Sequence, residues 1–328
     1  MFEKIHLEIS KLIGQPINTQ LPVPVEISAI ANTDTAQPGD HVYRYSALDK
    51  DADYILDIDP NGVITPIKKN PLSDTPLTFK GLDSRLEYVN VDDVLNSPDT
   101  KVLARKKESI TRGMDKTEVK IILDAILADT NVPSNQNIQE VDPTETGSTV
   151  GDLYDAIMAM KHLVEDYGDG FILLLGSTVK EKIDVWDKEK AEATGGFTYR
   201  VGLIETLKSL GITPMKIFGK VDRGSGEVSL LDTNTMILIA TNSRIAQGKP
   251  ITFVRRIITP DIAQLMGADV DSAQRAIIAN PVPVQATPDV TGGTRSSLLA
   301  YGVYGYESVV MCITNPLAIC RCDAETIL

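Results

Sequence analysis

Residues 1–82 constrain this chain more than any others, because they hold no face that their own length can bury. Ile5, Leu7 and Ile9 are followed by Pro16, Pro22, Pro24 and Pro38. Each proline lacks a ladder donor and biases its neighbour toward extended geometry. The segment 1–38 is therefore expected to be a mobile tail or an arm laid on something else. Hairpin material follows: Tyr54, Ile55, Leu56 and Ile58 approach Asp59-Pro60-Asn61-Gly62, and Val63, Ile64 and Ile67 leave it. Asn-Gly between apolar runs is a strong turn signal, since both central residues tolerate positive φ. An arm and a hairpin of this kind cannot offset their ordering entropy alone.

The remainder has enough apolar material for a core. Of 328 residues, 42% are hydrophobic and 23% charged, a length that allows two or three domains or one elaborate one. Acids outnumber bases, 45 to 32, and the formal net charge of −13 argues against a dedicated nucleic-acid reader with a basic face. It does not argue against a protein that only encloses nucleic acid. Aromatics are 5% with one tryptophan, Trp186, so a stacking platform for bases or sugars is not expected. Three cysteines, Cys312, Cys320 and Cys322, are too few for a disulfide framework and read as reducing-compartment thiols. On a strand Cys320 and Cys322 share a face and are expected to be buried together. Asp57, Asp59, Asn61 and Gly62 match the opening of a calcium loop, but Lys68 stands where the bidentate glutamate belongs, so a polar turn is the reading. No apolar run approaches a membrane span and no signal core opens the chain, which points to a soluble, cytoplasm-assembled protein.

Leu103, Ile110, Met114, Thr117, Ile121 and Ala125 recur at helical spacing and predict a long helix over 101–129. Its first half carries Lys101, Arg105, Lys106, Lys107 and Arg112. After a polar stretch from Asn131 to Gly147, Thr149 and Asp152 form a capping box for a second helix with Val150, Leu153, Ile157, Met160 and Val164 on one stripe. His162 lies off that stripe, and with only His6 and His41 besides, a histidine-based site has little support. Phe171 to Leu175 then reads as a buried strand, Ser177 starts a helix to about Lys190, and Leu203 to Leu210 form another that Gly211 ends. Ile212 to Phe218 and Met236 to Ala240 complete a compact α/β unit. Gly224-Ser225-Gly226 is a tight turn, and Gly219-Lys220-Val221 and Gly248-Lys249-Pro250 lack the Ser or Thr of a phosphate loop. Further on, Ile251, Phe253, Arg255 and Ile257 alternate as in a half-buried strand. Pro281, Pro283 and Pro288 read as a loop ending at Gly292-Gly293. Tyr304 to Met311 alternate on a last strand that turns at Asn315-Pro316, with Leu317 to Cys322 returning from it.

The order of these pieces resembles the major capsid proteins of tailed double-stranded DNA phages, the Hong Kong 97-type fold. Four places carry the likeness: the arm, hairpin and long helix ending in Glu118-Val119-Lys120-Ile121-Ile122-Leu123; the stretch Asp169-Gly170-Phe171-Ile172-Leu173-Leu174-Leu175-Gly176-Ser177; the run Leu207-Lys208-Ser209-Leu210-Gly211-Ile212-Thr213-Pro214; and the ending Tyr304-Gly305-Tyr306-Glu307 through Asn315-Pro316-Leu317-Ala318. The resemblance implies an α+β chain with an N-terminal arm (1–38), an extended hairpin loop (39–82), a peripheral domain (83–149) with a spine helix, an axial α/β domain (150–248) and peripheral closing strands (249–328).

It also implies a structural protein that self-assembles into hexamers and pentamers of an icosahedral head shell around double-stranded DNA, made in the host cytoplasm. No catalytic, cofactor or metal residue is expected. A scaffolding protein, a portal and a decoration protein are the expected partners, with no membrane. Lys68 and Lys69 lie in the loop where some members cross-link, but no acceptor motif accompanies them. The alternatives are an encapsulin-like nanocompartment shell and, with no motif behind it, an α/β enzyme. In the family the loop crosses a neighbour's spine helix. Asp49, Asp51, Asp53, Asp57 and Asp59 are therefore expected to pair with Lys101, Arg105, Lys106, Lys107 or Arg112 of the next subunit.

Overall fold

A computed structural model of the chain describes residues 23–40, 42–48, 72–84, 87–90, 101–128, 131–132, 137–138, 150–184, 203–222, 226–243, 248–259, 261, 268–272, 274–283 and 299–324. The architecture is α+β, two sheets sharing a core around one long helix. Strand β15 (Leu299–Ile313) is the axis of the first sheet. Val309 pairs with both Arg255 and Lys80, and Glu307 with both Arg275 and Leu82. A strand residue has one neighbour on each side, so β12 (Ile251–Arg256) and β14 (Arg275–Pro283) lie along one edge. Strands β4 (Lys80–Asp83) and β5 (Glu87–Asn90) lie along the other. β13 (Ala268–Ser272) extends β14, and β1 (Asn32–Ala36) adds in parallel to β12.

The second sheet runs β6 (Asn137–Ile138), β16 (Ile319–Asp323), β11 (Thr235–Ser243), β7 (Gly168–Leu175), β8 (Ile212–Lys216). One face is covered by α3 (Val150–Val164), α4 (177–184) and α5 (Leu203–Ser209), whose Leu153, Ile157, Met160, Val179, Ile183 and Leu207 meet Leu173, Leu175 and Leu238. The other face, with Leu174, Ile237, Ile239 and Ile319, packs on Val119, Ile122, Leu123 and Ile126 of the long helix α2 (Lys101–Leu127). Burial on both faces explains why β7 and β11 read as continuous apolar runs. Cys320 and Cys322 are buried together on the α3 side, as their spacing requires. Burial pushes the Cys322 thiol up to about 11, which keeps it a protonated packing group.

The long helix, the hairpin stem and the α/β unit stand where the sequence places them. The stem is β2 (Val42–Leu48) against β3 (Leu72–Thr78), from Val42 opposite Thr78 to Leu48 opposite Leu72. Its foot is anchored by Tyr43, Leu77 and Phe79 on Ala36, Val254 and Val310. The turn expected at Asp59 to Gly62 lies outside the described residues. The small ribbon of β9 (Lys220–Asp222) and β10 (Glu227–Ser229) flanks the turn expected at Gly224 to Gly226.

Three expectations change. The second half of the supposed arm packs on its own chain: Val25, Ile27, Ile30 and Ala31 are buried, Ile27 and Ile30 in α1 (Ile27–Ile30), and β1 follows. Asn32 fixes it there, its amide donating to the Lys249 carbonyl at 3.0 Å and its oxygen accepting from the Lys249 N–H at 3.2 Å. Pro281 and Pro283 belong to β14, not to a loop. Among the described residues β13 pairs only as far as Ile278, so both prolines lie where β14 is an edge, and an edge tolerates a missing donor. The final strand does not return beside β15. At Asn315 the chain crosses into the second sheet, where β16 pairs with β11. The crossing is tied by the Thr314 N–H donating to the Pro250 carbonyl at 2.8 Å and the Asn315 amide donating to Ser243 Oγ at 2.7 Å.

Helix α2 crosses β15 at Gly305, where a Cβ would lie 2.5 Å from Met114 Sδ and 2.9 Å from Ile110 Cγ2. Gly113, one residue before Met114, faces open space. We expect Gly305→Ala to lower unfolding stability by about 1–3 kcal/mol through overpacking. Gly113→Ala should raise it by about 0.5–1 kcal/mol through helix propensity. Urea unfolding of the two variants measures both.

Candidate functional site

The basic half of α2 and a buried charge cluster one turn further on are the two candidate sites. Along the first, Arg105 is exposed and Lys106, Lys107 and Arg112 are half-buried. Lys101 begins the helix. Arg112 is already engaged by Glu108 four residues earlier on the same helix. Asp49, Asp51, Asp53, Asp57 and Asp59 lie outside the described residues, so no contact with the basic row is on view.

The second site joins α2 to the first sheet. Glu118 is fully buried and receives both arms of the Arg255 guanidinium, Nε to Oε1 and Nη2 to Oε2, each at 2.7 Å. Arg275 on β14 reaches three carboxylates: Glu307 Oε2 at 2.7 Å, Asp115 Oδ1 at 2.7 Å and Glu118 Oε2 at 3.5 Å. Its Nη1 also donates to the Thr111 carbonyl at 3.4 Å. Bidentate geometry of this kind is what makes a buried ion pair tolerable, because it repays the loss of water with directed bonds. A cleft of about 540 Å³ opens beside the Glu118–Arg255 pair, between Val23, Val25 and Ile27 on one side and Asp115 and Val119 on the other.

Sequence reasoning overlooked this cluster, although its signal was present. Arg255 sits in phase with Ile251 and Phe253, and Glu307 in phase with Gly305 and Val309, so both charges occupy inward positions of their strands. An inward charge on a buried strand requires a partner of opposite sign. The local pattern could not say which one.

A further buried cation serves the helix itself. Arg321 on β16 donates through Nη1 to the Leu127 carbonyl, closing the last turn of α2 with a positive charge at its negative end. Among the described residues no group of histidine, cysteine and carboxylate side chains could hold a metal ion, and no helix is long and apolar enough to cross a membrane. Removing the charge from one member of the buried cluster should be far costlier than at the surface. Glu118→Gln is expected to lose about 3 kcal/mol of unfolding stability. Arg112→Ala is expected to lose less than about 1 kcal/mol. Parallel denaturation curves test the contrast.

No family model and no curated protein matches the chain. Solved structures do. The capsid of a native GTA particle superposes with a TM-score of 0.54 at 12% identity, over 94% of this chain and 93% of that one. The mature capsid of bacteriophage PhiM1 gives 0.53 at 10% identity, over 94% and 89%. The capsid of an empty GTA particle gives 0.52 at 11%, over 96% and 97%. At these identities the likeness is one of fold, it runs through nearly the whole chain, and the fold is the Hong Kong 97-type capsid fold.

Proposed function

We propose that the chain is a major capsid protein, the repeating subunit of an icosahedral head shell that encloses double-stranded DNA. The observation that carries this reading is coverage: about nine-tenths of this chain and of each of the three capsid chains superpose. A structural role follows from the same likeness. The partner is then a second copy of the chain. A scaffolding protein, a portal and a decoration protein belong to the proposal as further partners, and the virion head is its location, after assembly in the host cytoplasm.

On this reading residues 39–82 form the extended loop and α2 the spine helix. The first sheet is the core of the peripheral domain, and 150–248 with the added strand β16 form the axial domain. The loop aspartates Asp49, Asp51, Asp53, Asp57 and Asp59 of one copy meet Lys101, Arg105, Lys106, Lys107 or Arg112 of the next. Single rim pairs contribute roughly 0–1 kcal/mol each. A repeated set of them chooses register and excludes wrong neighbours. The net charge of −13 on every copy suits a wall that does not grip the polyanion it contains.

Two measurements test the proposal. Purified material should contain closed particles by electron microscopy, with nuclease-protected DNA inside when isolated from its natural setting. Protein cargo in place of DNA would point to a nanocompartment shell, and a small discrete species would sink both. Exchanging Lys106 and Lys107 together for Glu should reduce particle yield several-fold while circular dichroism stays unchanged. Unaltered yield would remove the basic row from the assembly contact.

A further inference from the structure

The joint between α2 and the first sheet holds three carboxylates against two guanidiniums, and its donors run out before its acceptors. Arg255 on β12 is committed to Glu118 by two bonds. Arg275 on β14 spends Nε on Glu307 Oε2 and Nη1 on Asp115 and the Thr111 carbonyl, leaving Nη2 near Glu118. Glu307 Oε1 is buried and has no hydrogen-bond partner among the described residues. The other elements against it supply no remedy. On β4, across the opposite edge, Glu307 is paired with Leu82, and the charged Lys80 and Asp83 there are exposed. On α2 the remaining buried cation, Lys116, is held down by burial and by Arg112. A buried lone-pair-bearing oxygen in a cluster with one carboxylate too many, and with no donor among the described residues, is a place for a proton.

We propose that this joint is a proton-operated latch, in which one proton taken from solvent by Glu307 Oε1 balances the cluster at two carboxylates and two guanidiniums and fastens α2 to the sheet. Proton uptake leaves the Arg275 bond intact, because that bond uses Oε2. Burial first, and the Glu118 charge second, push the Glu307 carboxyl up to about 7, against the opposing pull of Arg275 and Arg255. An unfolded glutamate titrates near 4.3, so between these values the folded chain binds a proton that the unfolded chain does not. Stability from this group is therefore full below about pH 4.3 and is lost as pH rises through about 7. This is opposite in sign to an ordinary salt-bridged carboxylate. The latch is a property of the folded subunit and is independent of what the subunit builds.

The test is thermal melting of the unassembled chain and its Glu307→Gln variant, which keeps the side chain's shape and fixes it neutral. The variant's advantage should be smallest near pH 4 and grow as pH rises, reaching at least roughly 2–4 °C at about pH 8.5. Parallel melting curves at all pH values overturn the proposal. If the variant fails to fold, the unaltered chain decides: with glutamate carboxyl carbons labelled, nuclear magnetic resonance should show one of them titrating near pH 7. A spectrum in which every glutamate titrates below about pH 5 overturns it equally.

Discussion

Everything in the first sheet depends on how closely α2 can lie on β15. The approach is made at one residue without a side chain, Gly305, against Ile110 and Met114. Two residues along the same face Glu307 enters the same joint, with Arg275 bridging it to Asp115. A close apolar crossing and a buried ionic knot therefore lie side by side on consecutive turns of α2. The first sets the distance and the second sets the register, because bidentate guanidinium–carboxylate bonds tolerate little sliding. With α2 so fixed, its second half is aimed at the second sheet, and Val119, Ile122, Leu123 and Ile126 complete a core common to both. The helix is the part through which the two sheets know each other's position.

The sequence revealed what is periodic and concealed what is relational. α2, α3, α5 and the strands β7, β11 and β12 were legible because their burial repeats at 3.6 or 2 residues, or because both faces are covered. The shared burial of Cys320 and Cys322 followed from strand alternation alone. Residues 23–36 escaped because Val25, Ile27 and Ile30 are too few to mark a face, and the prolines around them dominate the pattern. β16 was recognised as a returning strand but its pairing with β11 was not, since alternation says that a strand is half-buried and nothing about its neighbour. The charge cluster was half visible: Arg255 and Glu307 fall on inward positions, but Arg275, Asp115 and Glu118 come from a strand and a helix far apart in sequence. The fold class was readable from the order of elements. Arg112 of the basic row pairs with Glu108 on its own helix, and the pairing of the row with the loop aspartates stays a proposal.

The anchored N-terminal segment changes the balance between self-contained and shared structure. With β1 on β12 and Ile30 in the core, residues 23–36 stabilise the subunit that carries them. The hairpin stem is different in kind: among the described residues it meets its own sheet at the foot, through Tyr43, Leu77 and Phe79. The stacking of the Arg256 guanidinium on the Phe79 ring, 4.6 Å from its centre, holds that foot where the stem departs. A projecting two-stranded ribbon is at best marginally stable in water by itself. It becomes worthwhile when a second surface receives it.

The bond from Arg321 to the Leu127 carbonyl spans 194 positions of sequence, and β16 fills the place beside β11 between elements made long before it. A ribosome that has released α2, β7 and β11 has not yet produced the strand that covers β11's flank or the cation that ends the helix. Long-range closure of this type is slow, because loop entropy is spent before contacts reward it. Until residues 319–323 emerge, the nascent polypeptide lacks a finished core and therefore a finished outer surface. Emergence of β16 thus works as a timer: only molecules that hold it can close this core, and interrupted ones are left to chaperones and proteases.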